Sequence, residues 1–439
     1  MRTRRYESWG RFPRAMQKSM VVRWRGDDMP SITGETLVLP FGNGRSYGDV
    51  CLNDGGVLLD CRGLDRFISF DREQGLIRCE GGVLLRDILQ LVVPNGWFLP
   101  VVPGTQWVTV GGAIANDIHG KNHHREGTMG HHIRSFELLR SDGTRRTCSP
   151  SSNSDWFRAT VGGLGLTGII TWAEIQLKPI SGSDILCETI RFYSLEEFFE
   201  LARESDSAFE YTVAWVNALT TGRKLGQGVF FRGNHASTDS GSVLSGREKF
   251  DLGLLPPIRL VTRPFVRLFN TLYAISKGVS AGRSRAHYRP FFFPLDVVGS
   301  WNRLYGTQGM LQYQFVVPSE GAVDVVEEIL DRAARCVAAP FLTVLKVFGD
   351  RPSPGLLSFP RPGITMAIDF PNRGRPLMEL LEVFDDLVTG AGGALYPAKD
   401  ARMSPEAFRA GFPHWQNMLP CVDPSISSSF WRRVTGSSV

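Results

Sequence analysis

One stretch of eighteen residues, ANDIHGKNHHREGTMGHH from Ala115 to His132, holds five of the eight histidines. Histidine binds metals and transfers protons near neutral pH, so this stretch could be a metal site or a catalytic loop. His119 and His123 are four residues apart, which suits two metal ligands on one face of a helix. Gly120 and Asn122 interrupt such a helix, and no H-E-x-x-H motif occurs. The spacing leaves both interpretations open and weakens the metal one.

Glycine-rich loops are the second chemical signal. The segment PFGNGRSYGD, Pro40–Asp49, follows a strand and can turn backbone N–H groups toward a phosphate. It is not a Walker A loop, because no Gly-Lys-Ser/Thr follows, and its G-x-G-x-x-x-G spacing without a helix before the strand at Val57 excludes a Rossmann motif. Two more glycine clusters lie at Pro103–Gly120 and Thr160–Ile170. Three such loops indicate one extended ligand that contains a pyrophosphate.

Composition limits the class of protein. The chain has 439 residues, with 42% hydrophobic and 21% charged residues, which is typical of a globular protein of two domains. Its net charge of +5 suits an anionic substrate or an anionic membrane surface. The basic residues are spread along the chain, so nucleic acid is not expected as a partner. The seven scattered cysteines show no C-x-x-C pair, and no signal peptide or apolar run of about 18 residues is visible, which favours a cytoplasmic protein.

The elements that position these loops follow from periodicity. The first 180 residues or so consist of short apolar runs between turns, which predict strands, with an amphipathic helix at Leu84–Gly96. From about residue 185, single strands alternate with amphipathic helices, which predicts an antiparallel sheet backed by helices. The predicted helices of this part are Ser194–Ala202, Ala322–Cys336, Pro376–Gly393 and one that begins after Ser404.

Residues 251–293 differ from the rest, because they combine bulky apolar residues with many arginines and almost no acids. One interpretation is a long ordered insertion that packs on the second domain. The other is a mobile lid or a monotopic membrane contact, with the basic residues directed at lipid phosphates. The sequence leaves these alternatives open.

The glycine and histidine motifs carry a resemblance. In this order, GNGRSYGD, PGTQWVTVGGAIANDIHGKNHH and TVGGLGLTGII resemble the flavin domain of the vanillyl-alcohol-oxidase and p-cresol-methylhydroxylase superfamily. Through LQYQFVVP, LKVFG, IDFP and YPAKDAR the chain is similar to those members that oxidise polyprenyl-phosphoryl ribose. The resemblance implies an α+β fold with an FAD-binding domain at 1–182, a substrate domain at 183–395 that includes the insertion near 251–293, and a C-terminal segment, 396–439, that returns to the FAD domain.

The same resemblance implies the cofactor contacts. The expected FAD-binding residues are Pro40, Phe41, Gly42, Asn43, Gly44, Arg45, Ser46, Tyr47, Gly48, Asp49, Val50, Gly104, Thr109, Val110, Gly111, Gly112, Asn116, Asp117, Ile118, His119, Ile170 and Tyr396. Some members of the superfamily tether FAD through a histidine in the first loop. Tyr47 stands in that loop here, so non-covalent FAD is expected.

The substrate side is predicted from strand alternation. In LQYQFV, Gln312 and Gln314 share a face, which suits the recognition of sugar hydroxyls or, alternatively, an edge exposed to solvent. Lys346 lies among apolar residues and is either a lysine that reaches solvent from the end of a strand or an anion-binding group of the substrate site, and we favour the second interpretation. The resemblance places Lys399 beside the flavin and the substrate, where a cation would favour the reduced flavin or polarise a hydroxyl.

The reaction that the resemblance implies is oxidation of the 2′-hydroxyl of a polyprenyl-phosphoryl-β-D-ribose to a ketone. Lys399, Tyr47 and His119 are the candidate bases, and His119 is best suited near neutral pH. A separate NADH-dependent ketoreductase would complete the epimerisation to the arabinose donor, and contact with the inner membrane from the cytoplasmic side is one possible location. The alternatives are an FAD-dependent oxidase of a soluble sugar, alditol or aldonolactone, or a metal-binding or non-catalytic binding protein.

Overall fold

The computed structural model describes residues 6–30, 36–237, 250–252, 258–279 and 282–436. The first half of the chain forms two small sheets, and the second half forms one large sheet. The outcome is the expected α+β fold.

The first two sheets contain nearly all strands up to residue 176. In chain order these are β1 (Lys18–Val21), β2 (Val38–Phe41), β3 (Val57–Asp60), β4 (Phe67–Asp71), β5 (Leu76–Glu80), β6 (Trp97–Phe98), β7 (Ile133–Leu139), β8 (Arg145–Cys148) and β9 (Ile169–Gln176). The parallel sheet has the order β1-β3-β2, and the antiparallel sheet has the order β4-β5-β9-β7-β8. The helices between them are α1 (Leu85–Val92), α2 (Val110–Ala115), α3 (His123–Glu126) and α4 (Ser154–Thr160).

The large sheet follows after the short β10 (Lys178–Pro179), which pairs with β6. The later strands are β11 (Asp184–Phe192), β12 (Tyr211–Val216), β13 (Gly228–His235), β14 (Phe250–Asp251), β15 (Gly282–His287), β16 (Val298–Gly299), β17 (Met310–Val317), β18 (Thr343–Phe348), β19 (Gly363–Pro371) and β20 (Ala394–Leu395). Eight of them form a sheet with the order β15-β11-β13-β12-β18-β19-β17-β20. The helices are α5 (Leu195–Ser205), α6 (Arg263–Val279), α7 (Tyr288–Phe292), α8 (Ala322–Arg335), α9 (Arg375–Gly390), α10 (Pro405–Gly411) and α11 (Ser429–Thr435).

The large sheet has one apolar face and one polar face. On the apolar face, Tyr313 and Phe315 of β17 pack in a core with residues of α5, α8 and α9, and the Tyr313 hydroxyl donates to Asp385 of α9 at 3.1 Å. On the other face, Gln314 lies 3.1 Å from His119 of the first domain. The predicted alternation along β17 is therefore confirmed. The polar face is the one that contacts the histidine-rich loop of the first domain.

The C-terminal segment returns to the first sheet. Ser427 donates its backbone N–H to Val38 at 2.9 Å, and Arg433 of α11 forms an ion pair with Asp49 at 2.7 Å. These contacts agree with the expected return of residues 396–439, and the boundaries at 182/183 and 395/396 remain a proposal.

The basic and apolar segment 251–293 divides into two parts. Residues 253–257 and 280–281 lie outside the described residues. The last part is ordered, because β15 pairs with β11 along six residues and α7 packs in the core of the first domain, and the insertion itself remains a prediction. The earlier part contains α6. Among the described residues, no helix is long and apolar enough to cross a membrane.

Candidate active site

The first glycine loop, between β2 and Asp49, is held from three sides. The Asn43 side chain donates to the Trp107 carbonyl at 2.8 Å, and the Tyr47 N–H donates to the Ala398 carbonyl at 2.9 Å. A Cβ at Gly48 would lie 1.5 Å from the Asp400 carbonyl oxygen, so only glycine fits there. The loop therefore lies where the first domain, its second glycine loop and the 396–400 segment meet.

Backbone donors in this loop remain free. Within the described part of the chain, the N–H groups of Asn43, Gly44 and Ser46 make no hydrogen bond to a protein acceptor. Gly44 has a φ of +60°, in the left-handed region that glycine adopts easily. Free N–H groups in a tight loop bind anions, which is what the pyrophosphate of FAD requires.

The second glycine loop leads into α2 and touches the first. Thr109 caps α2 by accepting from the Gly112 N–H at 3.2 Å. A Cβ at Gly42 would lie 2.4 Å from the same Thr109 hydroxyl, so the absence of a side chain lets the two loops approach. The Gly111 N–H donates to the Gly81 carbonyl at 2.7 Å. The expected contacts around Thr109–Gly112 are thereby brought next to those of the first loop.

Other expected flavin contacts extend the groove. Ile170 lies against Gly81, where a Cβ would be 2.1 Å from the Ile170 carbonyl oxygen. The Tyr396 hydroxyl donates to the Asn116 carbonyl at 3.0 Å, and Tyr396 stacks on Phe359. The Asn116 side-chain oxygen is buried and has no hydrogen-bond partner within the described residues. An orphaned acceptor, free loop donors and close-packed glycines together fit a bound dinucleotide.

Three of the expected contacts, Asp49, Asp117 and Gly104, lie in surroundings that differ from those of the other expected contacts. Asp49 is paired with Arg433. Asp117 accepts from the Gly130 N–H at 2.8 Å and from the Ser358 hydroxyl at 2.5 Å, and burial raises its pKa to about 6. Gly104 lies in an exposed turn with no heavy atom within 4 Å of its Cβ position. The two carboxylates hold the loops in place rather than facing a ligand.

His119 lies at the centre of the domain contact and is 8% exposed. Its Nδ1 is 3.0 Å from the Lys346 ammonium and its Nε2 is 3.1 Å from the Gln314 amide. Burial, and then the positive charge of Lys346, hold its pKa well below the ordinary value of 6.5. The ring is therefore neutral near neutral pH but a weaker base than an ordinary histidine, and the role of His119 as the base remains a prediction.

The neighbours of His119 also define its tautomer. Below about pH 7 Lys346 is charged and only donates, so Nδ1 accepts and the proton is on Nε2. That Nε2–H needs an acceptor, which Gln314 provides when its amide oxygen faces the ring. In the same orientation the amide oxygen accepts from the Thr365 hydroxyl, whose present distance to the amide is 3.3 Å.

The other four histidines of the stretch bind the backbone at separate places. His123 accepts from the Gly349 N–H, while His124, His131 and His132 contact the carbonyls of Phe209, Pro352 and Glu126 in that order. In the described ranges, no group of three or more His, Cys, Asp or Glu side chains is arranged to hold a metal ion.

We call the space between the first glycine loop, His119 and the polar face of the large sheet the cleft. Lys399 and Tyr47 form a second contact there. The Lys399 ammonium lies 3.9 Å from the centre of the Tyr47 ring. Burial lowers the pKa of Lys399 to about 8, so its amine can hold or release a proton near neutral pH. Burial raises the pKa of Tyr47 well above 10, so this phenol is protonated and unsuited as a base. Gln312 acts on the same Tyr47 phenol and lowers its pKa against the effect of burial.

Lys346 is the second lysine of the polar face. In addition to His119, its ammonium reaches the Gly120 carbonyl at 3.4 Å. Burial, and then the charge of Lys121, lower its pKa to about 7. Among the described residues, no carboxylate forms an ion pair with Lys346. A lysine placed in this way suits an anionic ligand.

Two parts of the site were missed from the sequence. One is Gly81, which joins the second loop to Ile170. Asp369 of β19 faces Gln312 across the sheet and accepts from its amide at 2.5 Å. Its signal was a single acid at the alternating position, two residues after Ala367, on the face of Gln312 and Gln314.

Comparisons with known proteins agree with this geometry. The model of a family described as an FAD binding domain matches residues 34–149. Decaprenylphosphoryl-β-D-ribose oxidase of Mycolicibacterium smegmatis is 39% identical over 414 residues, which are 90% of this chain and 89% of that protein. An uncharacterised protein of Streptomyces coelicolor is 33% identical over 80% of this chain and 100% of its own length. L-gulonolactone oxidase of Mus musculus is 30% identical over 31% of each chain.

Proposed function

This chain belongs to the family of decaprenylphosphoryl-β-D-ribose oxidase and is an FAD-dependent oxidoreductase, and from that premise we propose that it oxidises the 2′-hydroxyl of a polyprenyl-phosphoryl-β-D-ribose to the 2′-keto sugar. The observation that carries the proposal is the polar face of the large sheet. Gln314 and Lys346 meet His119 there, while Lys399 lies over Tyr47 of the first glycine loop. Hydroxyl-binding amides and cations therefore converge where the flavin loops end.

We propose that FAD is bound without a covalent link. The free N–H groups of the first loop would hold the pyrophosphate, and Asn116 would offer its unpartnered oxygen to the flavin. FAD, when bound, supplies the two-electron acceptor for the hydride from the carbinol carbon. Acid precipitation tests the link, because non-covalent flavin leaves the pellet colourless and a tethered flavin stays with the protein.

Each polar residue has a separate role in the proposal. The Lys399 amine takes the hydroxyl proton, and Gln312 and Gln314 orient the sugar hydroxyls. Lys346 provides a positive charge for the phosphate of the substrate or for the alkoxide that forms during oxidation. The hydride leaves the carbon and the proton leaves the oxygen, so the alcohol loses two electrons and becomes a ketone.

Anaerobic flavin bleaching tests the substrate. Purified yellow protein is mixed with polyprenyl-phosphoryl ribose in detergent, and the absorbance of oxidised flavin is followed. The expected result is loss of that absorbance, with no loss for ribose, an alditol or an aldonolactone at the same concentration. Bleaching by one of the soluble compounds alone would replace this proposal with the soluble-sugar alternative.

A second enzyme would use the product. Because a 2′-ketone can be reduced from either face, a separate NADH-dependent ketoreductase would complete the inversion at C2′. In a mixture with such a reductase, the arabinose epimer should form only when this chain, the reductase and NADH are all present. Formation of the epimer without the reductase would contradict this partner.

We further propose that the chain contacts the cytoplasmic face of the inner membrane through α6. One side of this helix packs inward, where Phe269 contacts Phe341 and Tyr273 contacts Trp215. The opposite side exposes Leu268, Leu272 and Ile275, each by more than half of its surface. Arg267 flanks them, and no acidic residue occurs from Ile258 to Val279. An apolar stripe with basic neighbours fits an anionic bilayer.

Co-sedimentation with vesicles tests this contact. Vesicles that contain anionic phospholipid should retain the wild type, and Leu272→Asp should reduce the bound fraction by more than half. Val337→Asp is the matched control, because Val337 is 80% exposed but has no apolar stripe around it. Equal binding of both variants, or a dimer that covers α6 in solution, would overturn the membrane contact.

A further inference from the structure

A buried carboxylate lies beside the cleft and has no role in the proposed oxidation. Asp369 of β19 is 1% exposed. Its Oδ1 accepts from the Gln312 amide at 2.5 Å. Its Oδ2 meets no hydrogen-bond partner among the described residues, although the Tyr305 hydroxyl lies near enough to act on it. A buried carboxylate that lacks an ion pair opposes folding, so its presence calls for a reason other than stability.

Asp369 is connected to Lys399 through two intermediates. The Gln312 amide donates to the Asp369 carboxylate and also acts on the Tyr47 phenol, whose pKa it lowers against the effect of burial. The Tyr47 ring in turn supports the Lys399 ammonium at 3.9 Å. No carboxylate oxygen of the described residues lies within 4.0 Å of this ammonium. Asp369 is nonetheless the charge that acts on it, and it raises the pKa of Lys399 against the effect of burial.

We propose that Asp369 is a positioning residue for the oxidation, which fixes the place of the Lys399 amine through Gln312 and Tyr47 and supplies the negative charge that controls how this amine binds the substrate proton. The inference rests on the proposed function, in which the proton passes from the substrate hydroxyl to Lys399 and the hydride passes to FAD. Burial raises the pKa of Asp369 itself to about 7, so its charge changes in the same range as that of Lys399.

The surroundings of Lys399 contain other charged and titratable groups. Tyr47 of the first glycine loop, His119 from the loop after α2 and Lys346 of β18 interact with Lys399 itself. Arg45 of the same glycine loop, and Asp296 and Tyr305 of the segment before β17, act on Tyr47 or on Asp369. Lys346 carries the same sign of charge as Lys399, and His119 is neutral. Asp369 is therefore the group whose removal should lower the pKa of Lys399.

The substitution Asp369→Asn tests the inference, because asparagine keeps the size and the acceptor for Gln312 but removes the charge. Without the negative charge, Lys399 loses its proton more easily. The pH dependence of flavin reduction in the FAD-loaded enzyme should then move about one pH unit lower, with KM changed by less than about threefold. A purely structural role would lower the rate at every pH and leave the midpoint in place.

A readout without substrate separates this inference from the proposed function. Lysines of the flavin-free protein are methylated with 13C, and the signal of Lys399 is assigned by its loss in Lys399→Met. Its titration midpoint should also move about one unit lower in Asp369→Asn. If this shift occurs while polyprenyl-phosphoryl ribose fails to reduce the wild-type flavin, the substrate proposal fails and the Asp369–Lys399 coupling stands.

The matched control is Asp385→Asn. Asp385 is also a buried carboxylate beside the large sheet, but it lies on the helix-covered face and pairs with Arg402. It should leave both midpoints unchanged. If Asp369→Asn does not fold, Tyr305→Phe serves instead, because loss of the hydroxyl raises the pKa of Asp369 and weakens its charge. Unchanged midpoints in the folded variant would overturn the inference.

Discussion

Buried cations are treated differently in two regions of this molecule. At the junction between the C-terminal segment and the first domain, Arg433 pairs with Asp49 at 2.7 Å and with Asp400 at 3.0 Å. In the cleft, Lys346 and Lys399 contact a neutral ring, a carbonyl and an aromatic face. The junction neutralises its charge within the protein, and the cleft does not.

The difference indicates what each charge is for. A buried ion pair whose partners are both present costs little, whereas a buried charge without a partner opposes folding. Burial accordingly lowers the pKa of both cleft lysines. The carboxylates of Asp49 and Asp400, in contrast, raise the pKa of Arg433. The cleft lysines form close ion pairs only when an anionic ligand, an alkoxide or a reduced cofactor is bound. We therefore expect them to serve the reaction while they lower the free energy of unfolding.

The largest expected effect is on the rate of substrate oxidation by Lys399→Met. Loss of the amine removes the proton acceptor, so flavin reduction in stopped flow should slow about 10² to 10⁴-fold. The free energy of unfolding should fall less than it does when a close ion pair is broken, because no carboxylate oxygen of the described residues lies within 4.0 Å of the ammonium. Lys224→Met, at an exposed lysine of the substrate domain, is the control and should keep the wild-type rate. A rate within threefold of wild type for Lys399→Met would remove Lys399 from the mechanism.

At the junction the opposite result is expected for Arg433→Met. The substitution leaves Asp49 and Asp400 buried without their cation, so the free energy of unfolding in urea at pH 7 should fall by about 3 to 5 kcal/mol. The exposed pair Arg375–Glu379 provides the control, because Arg375→Met should cost less than about 1 kcal/mol. An equal loss of unfolding free energy in both variants would show that the buried junction pair stabilises the fold no more than an exposed pair does.

The fold was predictable where local patterns are strong. The alternation in β17 and the caps of α5 and α10 were read correctly, since Ser194 and Ser404 accept from backbone N–H groups as predicted. The strands β1 and β15 were missed. The residues of β1 are all exposed and those of β15 are mostly polar, because edge strands take their conformation from pairing with β3 and β11 rather than from their own composition.

The site was predictable in its residue types but not in its electrostatics. The glycine motifs and the two glutamines could be identified because they lie in short, specific strings. The pKa of His119 could not, since it depends on Lys346, which is 227 positions away in the chain. Asp369 could not be assigned a role either, because its partner Gln312 is 57 positions away and pairs with it only through the sheet register.

A smaller effect is expected for Lys346→Met in the flavin-free protein. The pKa of Lys346 is about 7 in the folded state and 10.5 ordinarily, so between these values the unfolded chain binds the extra proton and the destabilisation fades as pH rises. Below pH 7 the folded state carries the full cost of the buried cation. The substitution should therefore raise the free energy of unfolding by about 1 kcal/mol at pH 6, after allowance for the partial exposure of this lysine.

The pH dependence is the decisive part of that measurement. The gain from Lys346→Met should shrink steadily from pH 7 to pH 10, whereas Lys224→Met should show no such trend. A loss of stability at pH 6 would mean that the hydrogen bonds of Lys346 to His119 and Gly120 outweigh its desolvation. The comparison between cleft and junction would then no longer hold for this lysine.

The last prediction is that His119 is not protonated in the pH range in which an ordinary histidine titrates. Because burial and Lys346 hold its pKa well below 6.5, the ring should remain neutral and in the Nε2–H form from pH 7 down to pH 6. In 15N spectra of protein labelled at histidine, its Nδ1 should keep the shift of an unprotonated nitrogen throughout this range. Lys346→Met removes the nearest positive charge and should move the His119 midpoint upward. A wild-type ring that becomes protonated above pH 6 would show that the cleft holds a negative charge near His119, and that its lysines are paired within the protein after all.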